Sequence, residues 1–246
     1  MKRLTIIVIF IFSICQIKGQ SNYIDSLKRE LAIAKEDSNK VKLYNNLGYQ
    51  YFFNQPDTAI FYGQKALDLA QKIRFKKGEA SAYFTLWVPY FTKGEYARAL
   101  DYGYKELHIS EDLRDEKKIA GAQMGLTNIY REQGDLKRAL AHLKISKGIY
   151  EKLGLAYGNY AINIHGNLAM IYDESNELDS ALIHAQIALD TAIKNSRADN
   201  YITVISTVIG NVHRKRGNYA IALQYYQSAL PVFTNNKVIK EYNLKY

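Results

Sequence analysis

The side chains that most often carry chemistry are few in this sequence, and they are scattered. Of 246 residues, five are histidine and one is cysteine. There is no phosphate-binding Gly-Lys-Ser loop, no His-Glu-x-x-His and no paired cysteine, the spacings at which nucleotides and metals are held. His108, His142 and His184 share no i, i+4 spacing that would set two imidazoles on one helical face. His165 and His213 stand where related stretches of the chain carry Tyr or another core side chain, so they read as packed, hydrogen-bonded histidines rather than ligands. Asp173-Glu174 is an acidic pair, but adjacent residues on a helix diverge by about 100° and do not face one substrate as acid and base. With no nucleophile, base or metal set, neither catalysis nor a cofactor is expected.

Composition and the N-terminus bound the setting. Residues 1–20, MKRLTIIVIFIFSICQIKGQ, place Lys2 and Arg3 before an uncharged run from Leu4 to Ile17 and reach a small residue at Gly19. That is the layout of a secretory signal peptide. The run of 14 residues falls short of the roughly 20 that span a bilayer as a helix, so cleavage is preferred to a retained anchor. A lipid attached at Cys15 is disfavoured by the bulky Ile14 before it. The expectation is an exported protein, periplasmic or extracellular, without a membrane span after cleavage. Losing Lys2, Arg3 and Lys18 lowers the net charge from +9 to +6, and losing Cys15 removes every thiol. The remaining basic residues follow linkers (Lys72, Arg74, Lys76 and Lys77; Lys117 and Lys118; Arg214 to Arg216). They read as solvated surface, and no nucleic-acid partner is expected.

The elements that must position any site repeat along the chain. Tyr23 to Glu36 places Ile24, Leu27, Leu31 and Ala34 at helical spacing. Five similar stretches follow, beginning at Tyr44, Tyr83, Gln123, His165 and Ser206. Each reads as a helix, a break and a second helix opened by Ala59, Ala99, Ala139, Ala181 or Ala222, at spacings of 40, 40, 42 and 41. A period in this range marks stacked repeats. Gly94, Gly134 and Gly217 suit a left-handed helix end, Asn176 serves where Gly is missing, and Asp135 or Asn218 can cap the next helix. In the first copy Pro56 stops the first helix and Asp57 is expected to cap the second. Pro89, inside the first helix of copy two, should remove one backbone bond and kink it.

On these residues the chain resembles the tetratricopeptide repeat. Leu47-Gly48 and Ile209-Gly210 fill its Leu-Gly slots, Tyr51, Tyr90, Tyr130 and Tyr172 its Tyr slot, and Ala66, Ala188 and Ala229 its later Ala. His213 replaces the Tyr in the fifth copy, Glu106 and Ser146 replace the later Ala in copies two and three, and the proline ending the second helix is absent. The resemblance implies an all-α superhelical solenoid of about five helix-turn-helix repeats with an N-terminal capping helix. The expected divisions are a signal peptide at 1–20, a capping helix at 21–40, repeats at about 41–79, 80–119, 120–161, 162–202 and 203–235, and a tail or incomplete cap at 236–246. Such proteins bind partners on a concave face lined by first helices.

Helical geometry selects that face. Positions clustered away from the core side give Lys42, Asn45, Tyr49, Phe52 and Phe53 in the first repeat, and Phe84, Val88 and Phe91 in the second. They continue with Met124, Asn128 and Arg131, then Asn163, Met170 and Asp173, then Asn211 and Arg214. The face grades from aromatic to charged. Exposed apolar patches mark interaction sites, so the expected function is a non-catalytic exported scaffold binding a protein or peptide, with self-association through the last repeat as a further possibility. Two alternatives stand beside it: the capping helix folds over Phe52, Phe53 and Phe84, or the chain is a truncated or stand-alone sensory region of a signalling protein of the histidine-kinase or transcription-regulator type.

Overall fold

The computed structural model describes residues 22–155, 157–195 and 199–229. Residues 1–20 and 236–246, assigned above to the export signal and the tail, lie outside the described residues. Within them all regular structure is helical: α1 (22–33), α2 (Ser38–Tyr51), α3 (Pro56–Lys72), α4 (Lys76–Thr92), α5 (Tyr96–Asp112), α6 (Glu116–Glu132), α7 (Leu136–Lys152), α8 (Asn159–Glu174), α9 (Leu178–Lys194), α10 (Asp199–Lys215) and α11 (Tyr219–Ala229). The chain forms two compact units that divide between Asp115 and Glu116.

The helix ends follow local chemistry. Gly94, Gly134 and Gly217 take φ of 74°, 76° and 77°, and Asn176 takes 62°, the left-handed turn that releases the chain from one helix into the next. Two turns between hairpins use the same conformation on less suited residues, Arg74 at 56° and Arg114 at 52°, whereas the α7–α8 turn uses Gly154 at 65°. Asp135 caps α7 by accepting from Arg138 N at 2.9 Å, and Asp37 caps α2 by accepting from Asn39 N and Lys40 N. Asp57 does not cap α3. Gln55 holds the N-cap position without a side-chain bond and Pro56 is the first helical residue, leaving Asp57 inside the first turn. There its carboxylate meets Lys93 Nζ at 2.7 Å. Pro89 lies within α4, which runs on to Thr92.

In the N-terminal unit, α2 pairs with α3 and α4 with α5, and α3 also packs on α4. In the C-terminal unit the pairs are α6 with α7, α8 with α9 and α10 with α11. The alanine that opens each second helix is buried in all five pairs, and its small side chain lets the two backbones approach. At Gly48 that approach leaves no room for a Cβ, which would stand 2.3 Å from Thr85 Cγ2 and 3.3 Å from the Ala59 carbonyl oxygen. Where the later alanine is replaced, the intruding polar group is satisfied. Glu106 accepts from the Trp87 indole at 2.8 Å, and Ser146 Oγ donates to the Ala120 carbonyl at 2.8 Å. Burial without such a partner would cost about 1–3 kcal/mol.

Each hairpin also carries a ring contact that reading its aromatics and histidines separately does not reveal. The Tyr slot of the first helix stacks on a ring of the second: Tyr51 on Tyr62, Tyr90 on Tyr102, Tyr130 on His142, Tyr172 on His184 and His213 on Tyr225. Interplanar angles run from 6° to 14° and centroid distances from 5.3 to 6.0 Å. In four hairpins that second-helix ring also meets the residue seven before the Tyr slot. The partners are Tyr44 on Tyr62, Tyr83 on Tyr102, Gln123 on His142 and His165 on His184. Four of the five histidines are thus ring members of the hairpin cores.

Candidate binding faces on the first helices

In the N-terminal unit the candidate face is built from α2 and α4, which lie side by side. Not every residue assigned to it from helical geometry is available to a partner. Asn45 is buried, donating to the Gly78 carbonyl at 3.4 Å and accepting from Thr85 Oγ1 at 3.0 Å, so it ties α2 to α4. Val88 is buried as well. Phe52 is 2% exposed and lies among Tyr49, Phe53 and Phe84, with centroids 5.1, 6.4 and 5.7 Å away. The contacts continue from Phe84 to Trp87, Phe91 and Tyr96 at 5.6, 6.4 and 6.0 Å, mostly edge to face, the arrangement that aromatic quadrupoles favour.

What remains open on this face is Tyr49 and Phe53, 60% and 79% exposed, with Lys42 exposed and Phe84 and Phe91 half-buried. The capping helix does not cover them. On α1, Leu27 is buried, and Lys28 lies near enough to Tyr51 for that hydroxyl to raise its pKa; Tyr51 is two residues round the α2 helix from Tyr49 and so on another side. Two rings therefore stand in solvent on a floor of packed rings.

In the C-terminal unit the face is α6, α8 and α10, and most of its charges are spent within the protein. Arg131 reaches Glu132 at 2.5 Å and Glu174 at 2.7 Å, joining α6 to α8. Asp173 is buried and accepts from Lys215 Nζ at 2.7 Å, joining α8 to α10. Asn211 accepts from the Tyr226 hydroxyl at 2.8 Å. Met170 is half-buried against the core of this unit, and Met124, Asn128 and Asn163 are half-buried. Arg214 stays exposed. A face that looked charged in sequence is largely neutralised by ties between neighbouring helices.

The histidine chemistry is also internal. Burial lowers the pKa of His142, His165, His184 and His213 below the ordinary imidazole value, with smaller contributions from Arg138 at His142, His184 at His165, Lys147 at His184 and Arg216 at His213. His165 and His184, which sequence spacing left apart, meet with their Nδ1 atoms 3.0 Å apart. Among the described residues no three His, Cys, Asp or Glu side chains converge where a metal ion could be held. No helix among them is long and apolar enough to cross a membrane.

The paired helices and their buried alanines define a tetratricopeptide-like helical-repeat fold. The family model described as Tetratricopeptide repeat matches residues 207–233. The chain is similar to the crystal structure of BtubC (BKLC) from P. vanneervenii, at 17% identity and a TM-score of 0.68, over 94% of this chain and 92% of that one. It is similar to a Rap protein complexed with Competence and Sporulation Factor, at 16% identity and a TM-score of 0.69, over 90% and 72%. A third likeness is to PH0952 from Pyrococcus horikoshii, a signal transduction ATPase with a tetratricopeptide repeat sensor, at 17% identity and a TM-score of 0.66; it covers 90% of this chain and 37% of that one. No curated protein sequence matches.

Proposed function

We propose that this chain is a non-catalytic scaffold that binds a peptide or protein segment on the α2–α4 face, with Tyr49 and Phe53 as its anchors. The observation that carries this reading is the exposure of those two rings above a buried ring floor. Aromatic anchors dominate the energy of many interfaces, and burying each such ring contributes roughly 1.5–3 kcal/mol. The partner that fits is a segment with apolar side chains for Tyr49 and Phe53 and an acidic group for the exposed Lys42. A Rap protein of the same fold, complexed with Competence and Sporulation Factor, supports a binding role. Residues 1–20 support export, so we place the encounter in a periplasmic or extracellular compartment.

The test is affinity capture with the native chain and with Tyr49→Ser plus Phe53→Ser. Phe52 is no clean probe, because truncating a buried ring would disturb the unit itself. Loss of the captured partner in the double variant, with retention in Arg214→Ser, is the expected result. Identical partners from native and double-variant protein would sink the assignment of the face. Export is checked separately by N-terminal sequencing of protein recovered outside the cytoplasm, expected to begin after Gly19.

A further inference from the structure

The contact between His165 on α8 and His184 on α9 is chemically unlike its counterparts in the other hairpins, and it goes beyond the binding role above. A 3.0 Å separation between two Nδ1 atoms requires one ring to donate an N–H and the other to accept with a lone pair. One added proton is accommodated, because it can sit on the far nitrogen of the donating ring. A second must go to the accepting Nδ1, and two N–H groups of two cations then face each other. The equivalent pair in the preceding hairpin has no such limit. There Gln123 Oε1 lies 2.6 Å from His142 Nδ1, and an amide oxygen accepts equally well from a neutral or a protonated ring. The N-terminal unit uses Tyr44 with Tyr62 and Tyr83 with Tyr102 at these positions.

We propose that the His165–His184 pair is an acid-sensitive latch that holds α8 against α9 near neutrality and releases as the second proton binds. The surroundings reinforce it. Tyr172 stacks on His184 at 5.5 Å and leaves the ring half-buried. From α7, Lys147 opposes protonation of both rings and Glu151 favours it at His165, but these two are paired with each other at 2.5 Å. On the α10 side, Lys215 and the neighbouring Arg216 are engaged by Asp173 and Asp179. The closed pair withholds a proton that the opened pair takes up at the ordinary imidazole pKa of about 6.5. Closure is therefore complete above that pH and is lost as pH falls below it. At pH 5.0, one withheld proton shifts the open-to-closed ratio by about 30-fold. Because α8 also carries Asp173 and Glu174, which tie it to α10 and α6, release reshapes the first-helix face of this unit.

Hydrogen exchange read by mass spectrometry on the full chain at pH 7.5 and 5.0, corrected for intrinsic rates, tests the latch. The histidine-free α2–α3 hairpin is the internal control. Protection of α8–α9 is expected to fall about 30-fold relative to α2–α3 at the lower pH. His165→Gln, which installs the Gln-His pair of the preceding hairpin, is expected to bring α8–α9 to the level of α6–α7. An α8–α9 response equal to the control, or an undiminished response in His165→Gln, overturns the proposal. Should the variant fail to fold, nitrogen NMR of the native imidazoles decides instead. One shared Nδ1 proton lost between pH 6.5 and 5 is expected, and two independently titrating rings refute it.

Discussion

Single side chains explain why this chain tolerates departures from its own repeat. Glu106 enters a position that is alanine in three other hairpins, and it is accommodated because the Trp87 indole needs an acceptor there. Glu106→Ala should therefore destabilise by about 1–3 kcal/mol through the unpaired indole N–H, while Glu106→Gln keeps an acceptor and costs less; urea unfolding of both variants measures the difference. Tyr150 makes a second case. Burial, helped by Tyr160, pushes its phenol up to about 12, whereas in the unfolded chain a tyrosine ionises near 10. The folded state therefore resists ionisation, and stability should fall as pH rises from about 10 toward 12. Melting temperatures between pH 9 and 11 should decline, and Tyr150→Phe should shallow that decline.

Helices and turns here are set by short-range chemistry, and their costs can be read from the backbone. A Cβ at Gly134 would meet nothing within 4 Å, so Gly134→Ala tests backbone strain alone and should cost about 1–2 kcal/mol. Arg114 adopts the same left-handed region at φ 52° without glycine's freedom. Arg114→Gly should raise stability by up to about 1 kcal/mol, the strain relieved less the entropy that glycine loses on folding. Thermal unfolding of the two variants should therefore move in opposite directions. The recurring Tyr-slot stack belongs to this level too: it aligns the two helices of a hairpin, and a histidine serves as well as a tyrosine because either ring presents a flat face.

The molecule as a whole consists of two compact units built from hairpins whose packing is largely with their neighbours. Stability in such arrays is nearly a sum of local terms, so damage should stay local. Leu86 is fully buried in the core of the N-terminal unit, and Leu86→Ala should cost about 2–5 kcal/mol. Hydrogen exchange should show that loss across α2–α5 while α8–α11 keep their protection. Equal loss in both units would mean that the chain unfolds as one cooperative block.

The repeat and most turns within its hairpins were determined by sequence alone, because they depend on spacing along one chain; the cap expected of Asp57 was not. A small residue every 40 to 42 positions, a glycine or asparagine at four of the five breaks within a hairpin, a proline at the other, and an apolar stripe per helix need no knowledge of neighbours. The candidate face was legible only in part. A helical wheel sorts side chains by angle around one axis, and it turned Tyr49 and Phe53, both exposed, away from the core side. It could not tell that the neighbouring α4 closes over Asn45 and Phe52, or that Asp173 is claimed by Lys215 of α10, 42 residues on. The Tyr-slot stacks had a signal in the sequence, a ring 11 or 12 residues beyond each slot, legible once the hairpin register is known. The meeting of His165 with His184 across 19 residues was decided by tertiary structure, because the antiparallel packing of α8 on α9 sets which side chains share a level.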